Sequence, residues 1–237
     1  FFDLQVNGFA GVDFNRAGTP LMEIVSEPDM RTPEDAFEYL TALKEILISG
    51  GVGDCDMEKG SLRCDANISI RPVGEKTLGT KVEVKNMNSF KNVRQALEHE
   101  EKRQAEAVED KIRIVQETRL WDPDRGVTVS MRSKEEAQDY RYFPEPDLVP
   151  FVVDKHVIED IRSALPELPE ARRARFIDEF ALPEYDASVL TADIDTAEYF
   201  EEAVSEIEVD DKNPQITLIF NYLTTDLKGL IGAEEFN

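Results

Sequence analysis

The sequence predicts an α+β fold in which strands and helices alternate up to about residue 150 and helices alone follow. Two segments before residue 90 alternate strictly between polar and apolar residues, which is typical of strands with one buried face. After residue 150, prolines divide the chain into helix-length pieces. We therefore predict an α+β domain over residues 1–153 and a helical domain over residues 154–237.

The individual elements follow from periodicity and from residues that begin or end helices. Thr32 can cap a helix that has Pro33 in its first turn, and the glycines at positions 50 and 51 end it. The predicted strands are residues 21–25, 61–71, 81–85, 116–120 and 127–132. The predicted helices are residues 33–49, 89–109, 133–137, 169–180, 185–191, 195–205 and 214–230. Residues 139–150 are predicted to be extended.

Two neighbouring strands carry charged residues on a shared polar face. Alternation places Arg63, Asp65 and Asn67 on one side of the first of these strands, and Glu83 and Lys85 on one side of the second. A loop joins the two strands, which predicts an antiparallel hairpin. Cross-strand ion pairs on a solvated sheet explain this pattern without any function. The alternative is a site where carboxylates hold a hard cation and basic groups neutralise phosphoryl oxygens.

Composition narrows the classes of function. The formal net charge of −23 disfavours broad, non-specific nucleic-acid binding, which requires a basic surface. The sequence has two cysteines and two histidines, and their spacing fits no common zinc motif. We find no apolar stretch long enough to span a membrane and no secretory leader at the start of the sequence. These features predict a cytoplasmic protein with reduced thiols and no membrane partner.

Several long motifs resemble one known family. In chain order they are VDFNRAGTPLMEIVSEPD, DMEKGSLRCDANISIRP, KVEVKNMNSF, QETRLWD, MRSKEEAQDYRYFPEPDL and PELPEARRARF. Together they resemble the B subunits of tRNA-dependent aspartyl/glutamyl amidotransferases. The resemblance extends from about residue 12 to residue 236.

This resemblance implies a fold, a reaction and partners. The expected fold is an antiparallel-sheet catalytic domain, called the cradle and similar to glutamine synthetase, followed by an all-α domain. The expected reaction uses ATP and Mg²⁺ to phosphorylate the side-chain carboxylate of Glu-tRNA(Gln) or Asp-tRNA(Asn), which ammonia then converts to an amide. The expected partners are a glutaminase A subunit, which makes the ammonia, and a small C subunit. The expected assembly of the three subunits is a heterotrimer.

The resemblance also implies site residues. It identifies three metal-binding carboxylates, Glu23, Asp65 and Glu83. The polar strand face adds three neighbours for ATP phosphate or substrate carboxylate, Arg63, Lys85 and Asn86. The predicted catalytic set is Glu23, Asp65, Glu83, Arg63 and Lys85, and the predicted ATP-contacting set is Arg63, Lys85 and Asn86.

The sequence departs from the family pattern at both ends. The family's first strand, its zinc segment and its tRNA-binding tail have no counterpart, so we expect an incomplete chain. This departure favours an alternative, a non-catalytic tRNA-docking or scaffold module of the same family. The first 14 residues instead resemble a segment of N-acetylglucosamine-6-phosphate deacetylases, a third hypothesis that the low histidine content disfavours.

Overall fold

The computed structural model describes residues 3–6, 9–12, 18–131, 149, 152–207 and 214–231. The chain divides into two compact units, Phe1–Arg31 and Thr32–Asn237. In the first unit, β1 (Asp3–Val6) pairs antiparallel with β2 (Phe9–Val12). The strand predicted at residues 21–25 is wrong, because this segment is exposed and has no regular secondary structure. Strand propensity alone does not form a strand where the backbone lacks a pairing partner.

The second unit contains most of the elements predicted from the sequence. Its first part comprises α1 (Pro33–Ser49), β3 (Cys64–Ile68), β4 (Val82–Met87), α2 (Phe90–Glu109), β5 (Thr118–Asp122) and β6 (Val127–Ser130). Its second part comprises α3 (Lys155–Ala164), α4 (Pro169–Phe180), α5 (Glu184–Thr191), α6 (Ile194–Ser205), α7 (Pro214–Asn221), a π-helix (Tyr222–Leu227) and α8 (Lys228–Ile231). None of the helices in the described ranges is both long and apolar enough to cross a membrane.

Some predictions of secondary structure need correction, and others concern residues that the structure does not describe. The sequence patterns did not predict α3, which Asp154 caps by accepting a hydrogen bond from the backbone N–H of His156. The last predicted helix continues as a π-helix after residue 221. The elements predicted at 133–137 and 139–150 lie outside the described residues, apart from position 149.

The second unit contains a four-stranded mixed sheet in the order β3–β4–β5–β6. Strands β3 and β4 are antiparallel, as are β5 and β6, but β4 and β5 are parallel. The antiparallel sheet that the resemblance implied therefore holds for two of the three strand pairs described, and the pair of β4 and β5 departs from it. The physical reason is the connection: α2 returns the chain to the end of the sheet where β4 began, so β5 runs in the same direction. A mixed sheet combined with helices agrees with the predicted α+β class, while the boundary at residues 153/154 stays a prediction.

Helices α1 and α2 cover one face of this sheet. The cluster that fills the interface contains Leu40, Val84, Met87, Val93, Ala96, Leu97 and Trp121. A second apolar cluster lies among α4, α5, α6, α7 and the π-helix, around Phe176 and Phe200. Arg173 on α4 lies 3.8 Å from Glu45 on α1, so an ion pair links the helices of the two parts.

A buried carboxylate fastens α2 to the last two strands. Glu100 is fully buried and accepts hydrogen bonds from Arg103 at 2.8 Å, from Gln104 at 3.1 Å and from the Thr128 hydroxyl. The Arg119 Nε atom on β5 lies 3.1 Å from the same carboxylate. Burial acts to raise the pKa of Glu100, but the hydrogen bonds from Arg103, Thr128 and Gln104 outweigh burial and lower the pKa to about 2.

A bulge in β4 shapes the pairing with β3. Cys64 pairs with Met87 and Ala66 pairs with Val84, so two residues of β4 oppose the single residue between them on β3. The extra residue of β4 is accommodated at Asn86, whose φ of 69° lies in the left-handed region. Its side-chain amide donates a hydrogen bond to the backbone carbonyl of Trp121 on β5 at 3.0 Å. Asparagine tolerates this backbone conformation better than most residues, so its identity here has a structural cause.

We expect the substitution Glu100→Gln to lower the free energy of unfolding by about 3 kcal/mol at pH 7, because it removes the buried negative charge that faces both Arg103 and the largely buried Arg119 and leaves Arg119 with Glu117 as its remaining carboxylate partner. The loss should be smaller at acidic pH. A carboxyl whose folded pKa is lowered contributes stability above its unfolded pKa of 4.5, and this contribution disappears as pH falls through about 2. Urea unfolding followed by the fluorescence of Trp121, the single tryptophan, measures both effects.

The matched control is Glu106→Gln on the same helix, where the exposed carboxylate lies 4.0 Å from Lys102. An exposed pair of this kind contributes about 0.5 kcal/mol or less. Equal destabilisation by the two variants at pH 7 would contradict the role given to Glu100.

We expect Asn86→Ala to lower the free energy of unfolding by about 2 kcal/mol, since it removes a hydrogen bond and leaves a side chain in the left-handed region. Asn86→Gly also removes the hydrogen bond, but glycine adopts the left-handed conformation without steric strain. Its loss of unfolding free energy should therefore be closer to about 1 kcal/mol. Urea unfolding of both variants provides the comparison. An alanine variant at least as stable as the glycine variant would be inconsistent with strain at this position.

Candidate functional site

The polar face of the sheet that points away from α1 and α2 is here called the open face. On β4, Val82 and Val84 are buried against the helices, so Glu83 and Lys85 lie on the open face. On β3 the exposed positions are those that the sequence predicted to be polar. Five residues define the open face: Asp65, Asn67, Glu83, Lys85 and Thr118. Side-chain exposure of 51% for Asp65, 38% for Lys85 and 32% for Glu83 leaves their polar atoms accessible to a ligand.

Lys85 lies between the two carboxylates of the open face. Its Nζ atom is 3.1 Å from Oδ2 of Asp65 and 3.5 Å from Oε1 of Glu83. The bulge in β4 explains the first contact, because it sets Lys85 and Asn86 opposite Asp65. The hydrogen bond to Asp65, together with the negative charges of Asp65 and Glu83, raises the pKa of Lys85. Lys85 is therefore a fixed positive charge at the centre of this face.

Thr118 on β5 completes the surroundings of Glu83. In the parallel pair of β4 and β5, Glu83 lies directly opposite Thr118, and the Thr118 Oγ1 hydroxyl donates a hydrogen bond to Glu83 Oε2 at 2.8 Å. Sequence reasoning missed this residue, although its strand was predicted. The signal that could have found it is the strand–helix–strand order from β4 to β5, which favours parallel pairing of the two strands.

The structure brings together only some of the predicted site residues. Asp65, Glu83 and Lys85 form one connected group. Arg63 is exposed just before β3, and among the described residues the ion pairs and the hydrogen bond of this group involve other side chains. Asn86 lies beside Lys85 but donates its amide hydrogen to Trp121. Glu23 is exposed in the first unit. The roles predicted for all of these residues stay predictions.

The chemistry of the open face suits a hydrated divalent cation bound to phosphate. Among the described residues, no three His, Cys, Asp or Glu side chains cluster closely enough to hold a metal by themselves. Mg²⁺ typically takes only one or two protein carboxylates and fills its remaining positions with water and substrate phosphates. Asp65 and Glu83 supply two such carboxylates, and Lys85 between them can contact phosphate oxygens. The residues present therefore fit this group.

Comparison with known proteins shows the family. The profile of the GatB/GatE catalytic domain matches residues 4–159, a span that includes Glu23, Asp65, Glu83, Lys85 and Thr118. The B subunit of the aspartyl/glutamyl-tRNA(Asn/Gln) amidotransferase of Carboxydothermus hydrogenoformans is 54% identical over 231 residues, covering 98% of this chain and 47% of that protein. Proteins of the same name from Caldanaerobacter subterraneus and Halorhodospira halophila are 58% and 56% identical, over 82% and 84% of this chain and 41% and 42% of their own lengths.

The chain thus spans less than half the length of these relatives. The match to the family profile nevertheless includes the whole four-stranded sheet and its helix α2, that is β3, β4, α2, β5 and β6. On these grounds the chain belongs to the GatB/GatE catalytic domain family.

Proposed function

We propose that this chain is the carboxylate-activating part of a tRNA-dependent amidotransferase that uses ATP and Mg²⁺. The observation that carries the proposal is the Asp65–Lys85–Glu83 group on the open face, which lies inside the region matched to the family. The relatives are named as B subunits of aspartyl/glutamyl-tRNA(Asn/Gln) amidotransferases, and this name supports Glu-tRNA(Gln) or Asp-tRNA(Asn) as substrate.

The proposed reaction needs activation because a carboxylate is a poor electrophile. An oxygen of the substrate's side-chain carboxylate attacks the γ-phosphorus of ATP, ADP leaves, and an acyl phosphate results. Ammonia then attacks the acyl carbon, inorganic phosphate leaves, and the amide of Gln-tRNA or Asn-tRNA remains after loss of a proton. Phosphoryl transfer of this kind depends mainly on positioning and charge neutralisation.

The residues of the open face have distinct roles in this proposal. Asp65 and Glu83 would hold Mg²⁺, with Glu23 as the further carboxylate that the family resemblance implies. Magnesium supplies charge neutralisation for the phosphate oxygens when it is bound. Lys85 offers a fixed positive charge to phosphate or to the substrate carboxylate, and its contacts with both carboxylates keep it at the centre of the site. Arg63 and Asn86 are proposed as outer contacts for ATP.

The proposed setting is a cytoplasmic heterotrimer. A glutaminase A subunit would supply the ammonia, and a small C subunit would complete the assembly. We propose a cradle domain similar to glutamine synthetase, followed by an all-α domain. The net charge of −23 disfavours wide contact between this chain and the phosphate backbone of tRNA, so other parts of the assembly would supply most of that contact.

One observation favours the alternative function, a non-catalytic tRNA-docking or scaffold module. Lys85 already pairs with Asp65 and Glu83, as basic residues do on solvated sheets without a ligand. In that case the three charges stabilise the pairing of β3 with β4 and bind nothing.

Calorimetric titration with ATP in the presence of Mg²⁺ separates the two functions. We expect the parent chain to bind, and the isosteric double variant Asp65→Asn/Glu83→Gln to bind at least about tenfold more weakly, a loss of about 1.4 kcal/mol. Omission of Mg²⁺ should weaken binding by the parent more than binding by the double variant, because only the parent has the carboxylates that would hold the cation.

The matched control is Glu75→Gln/Asp124→Asn, which neutralises two exposed carboxylates that lie in turns between strands and are not among the five residues of the open face. It removes the same charge and should bind like the parent. A parent chain that shows no magnesium-dependent binding of ATP would reject the catalytic function for this chain and leave the scaffold function.

A further inference from the structure

The Glu83 carboxylate has a different partner at each of its two oxygens. Oε1 lies 3.5 Å from Lys85 Nζ, and Oε2 accepts a hydrogen bond of 2.8 Å from the Thr118 hydroxyl. Two partners in different directions define the plane of the carboxylate and limit its rotation. Each oxygen keeps a further lone pair, so neither contact prevents the group from acting as a metal ligand.

The Thr118 hydroxyl is itself held in place by its strand. The backbone carbonyl of Thr118 accepts a hydrogen bond from the Met131 N–H at 3.0 Å, next to the end of β6. On the other side, the Glu83 N–H donates to the Glu117 carbonyl at 3.0 Å, which fixes β4 beside β5 at the height of the contact. A β-branched side chain such as threonine also has few accessible rotamers. The donor is therefore pre-organised toward Glu83.

The neighbours of Thr118 in sequence point toward other partners. Arg119 Nη1 contacts the Glu117 carboxylate at 2.7 Å, and Arg119 Nε lies 3.1 Å from the buried Glu100. The contact with Glu100 holds β5 against α2, and hydrogen bonds that Arg119 donates to the hydroxyl and carbonyl of Thr128, both at 2.9 Å, hold β5 against β6. Because the Thr118 hydroxyl contributes to none of these ion pairs, its loss should leave them intact.

We propose that Thr118 is a positioning residue that orients the Glu83 carboxylate for binding of the cation–nucleotide complex. This inference rests on the proposed function and adds a residue to it. A hydrogen bond from outside the ligand shell fixes the orientation of a metal ligand, and the loss of such a partner typically weakens metal affinity about 10–100-fold. Thr118 would act through Glu83 without touching the phosphate.

The test compares three variants by calorimetric titration of Mg²⁺ at saturating ATP and by Mn²⁺ binding followed by electron paramagnetic resonance. Thr118→Val keeps the shape but removes the hydroxyl, and we expect its affinity for either cation to fall about tenfold or more. Thr118→Ser keeps the hydroxyl and should restore affinity to within about threefold of the parent, because the orienting hydrogen bond is retained. Thr80→Val, an exposed threonine in the loop before β4, is the matched control and should bind like the parent.

Thermal unfolding of each variant distinguishes a changed orientation of Glu83 from a general loss of stability. We expect the melting temperature of Thr118→Val to remain within about 4 °C of the parent, because a half-buried strand position accepts valine. If Thr118→Val does not fold, Thr118→Ala provides the same comparison with the serine variant.

Two results would overturn the proposal in distinguishable ways. If the parent binds Mg²⁺–ATP and Thr118→Val binds it equally well, or if serine fails to restore affinity, Thr118 does not position Glu83 while the proposed function stands. If the parent binds neither Mg²⁺–ATP nor Mn²⁺, the proposed function is rejected for this chain, and the role of Thr118 is rejected with it.

Discussion

The arrangement of the sheet depends on one buried charge, the carboxylate of Glu100. A fully buried carboxylate without partners would cost several kcal/mol of desolvation free energy, so its surroundings must supply positive charge and hydrogen-bond donors. Those partners come from three elements: Arg103 and Gln104 on α2, Arg119 on β5 and Thr128 on β6. Any shift of β5 along its neighbours would separate Arg119 from Glu100. The buried charge therefore fixes the register of β5 and β6 against α2.

This register controls the open face through the alternation of side chains along a strand. Because Arg119 points toward Glu100, the preceding residue, Thr118, points to the opposite face. The parallel pairing of β4 and β5 then sets Thr118 opposite Glu83. On the other side of β4, the bulge at Asn86 sets Lys85 opposite Asp65. A buried ion network on one face and a single bulge thus account for the geometry of an exposed charged group on the other.

Periodicity in the sequence was sufficient to assign Asp65, Glu83 and Lys85 to one surface, because alternation is a local property of a strand. Register is a non-local property, and for that reason the Thr118–Glu83 contact could not be found from the strands alone. The burial of Glu100 could not be predicted from the sequence for a related reason. It lies in a highly charged helical stretch, where nothing in the local pattern distinguishes a buried carboxylate from solvated ones. The parallel pair of β4 and β5 departs from the antiparallel sheet that the resemblance implied, and the helix between these two strands already favoured parallel pairing.

The charge of the open face also constrains which form of nucleotide the proposed site would accept. Two carboxylates and one lysine give this group a net negative charge, so a bare triphosphate would be repelled. In the proposed site a divalent cation would reverse this balance, because it would interact favourably with both carboxylates and with the phosphate oxygens. The pairing of Lys85 with Asp65 and Glu83 moderates their repulsion when no cation is bound. Binding of nucleotide at this face should therefore require the cation, and a basic residue alone could not replace it.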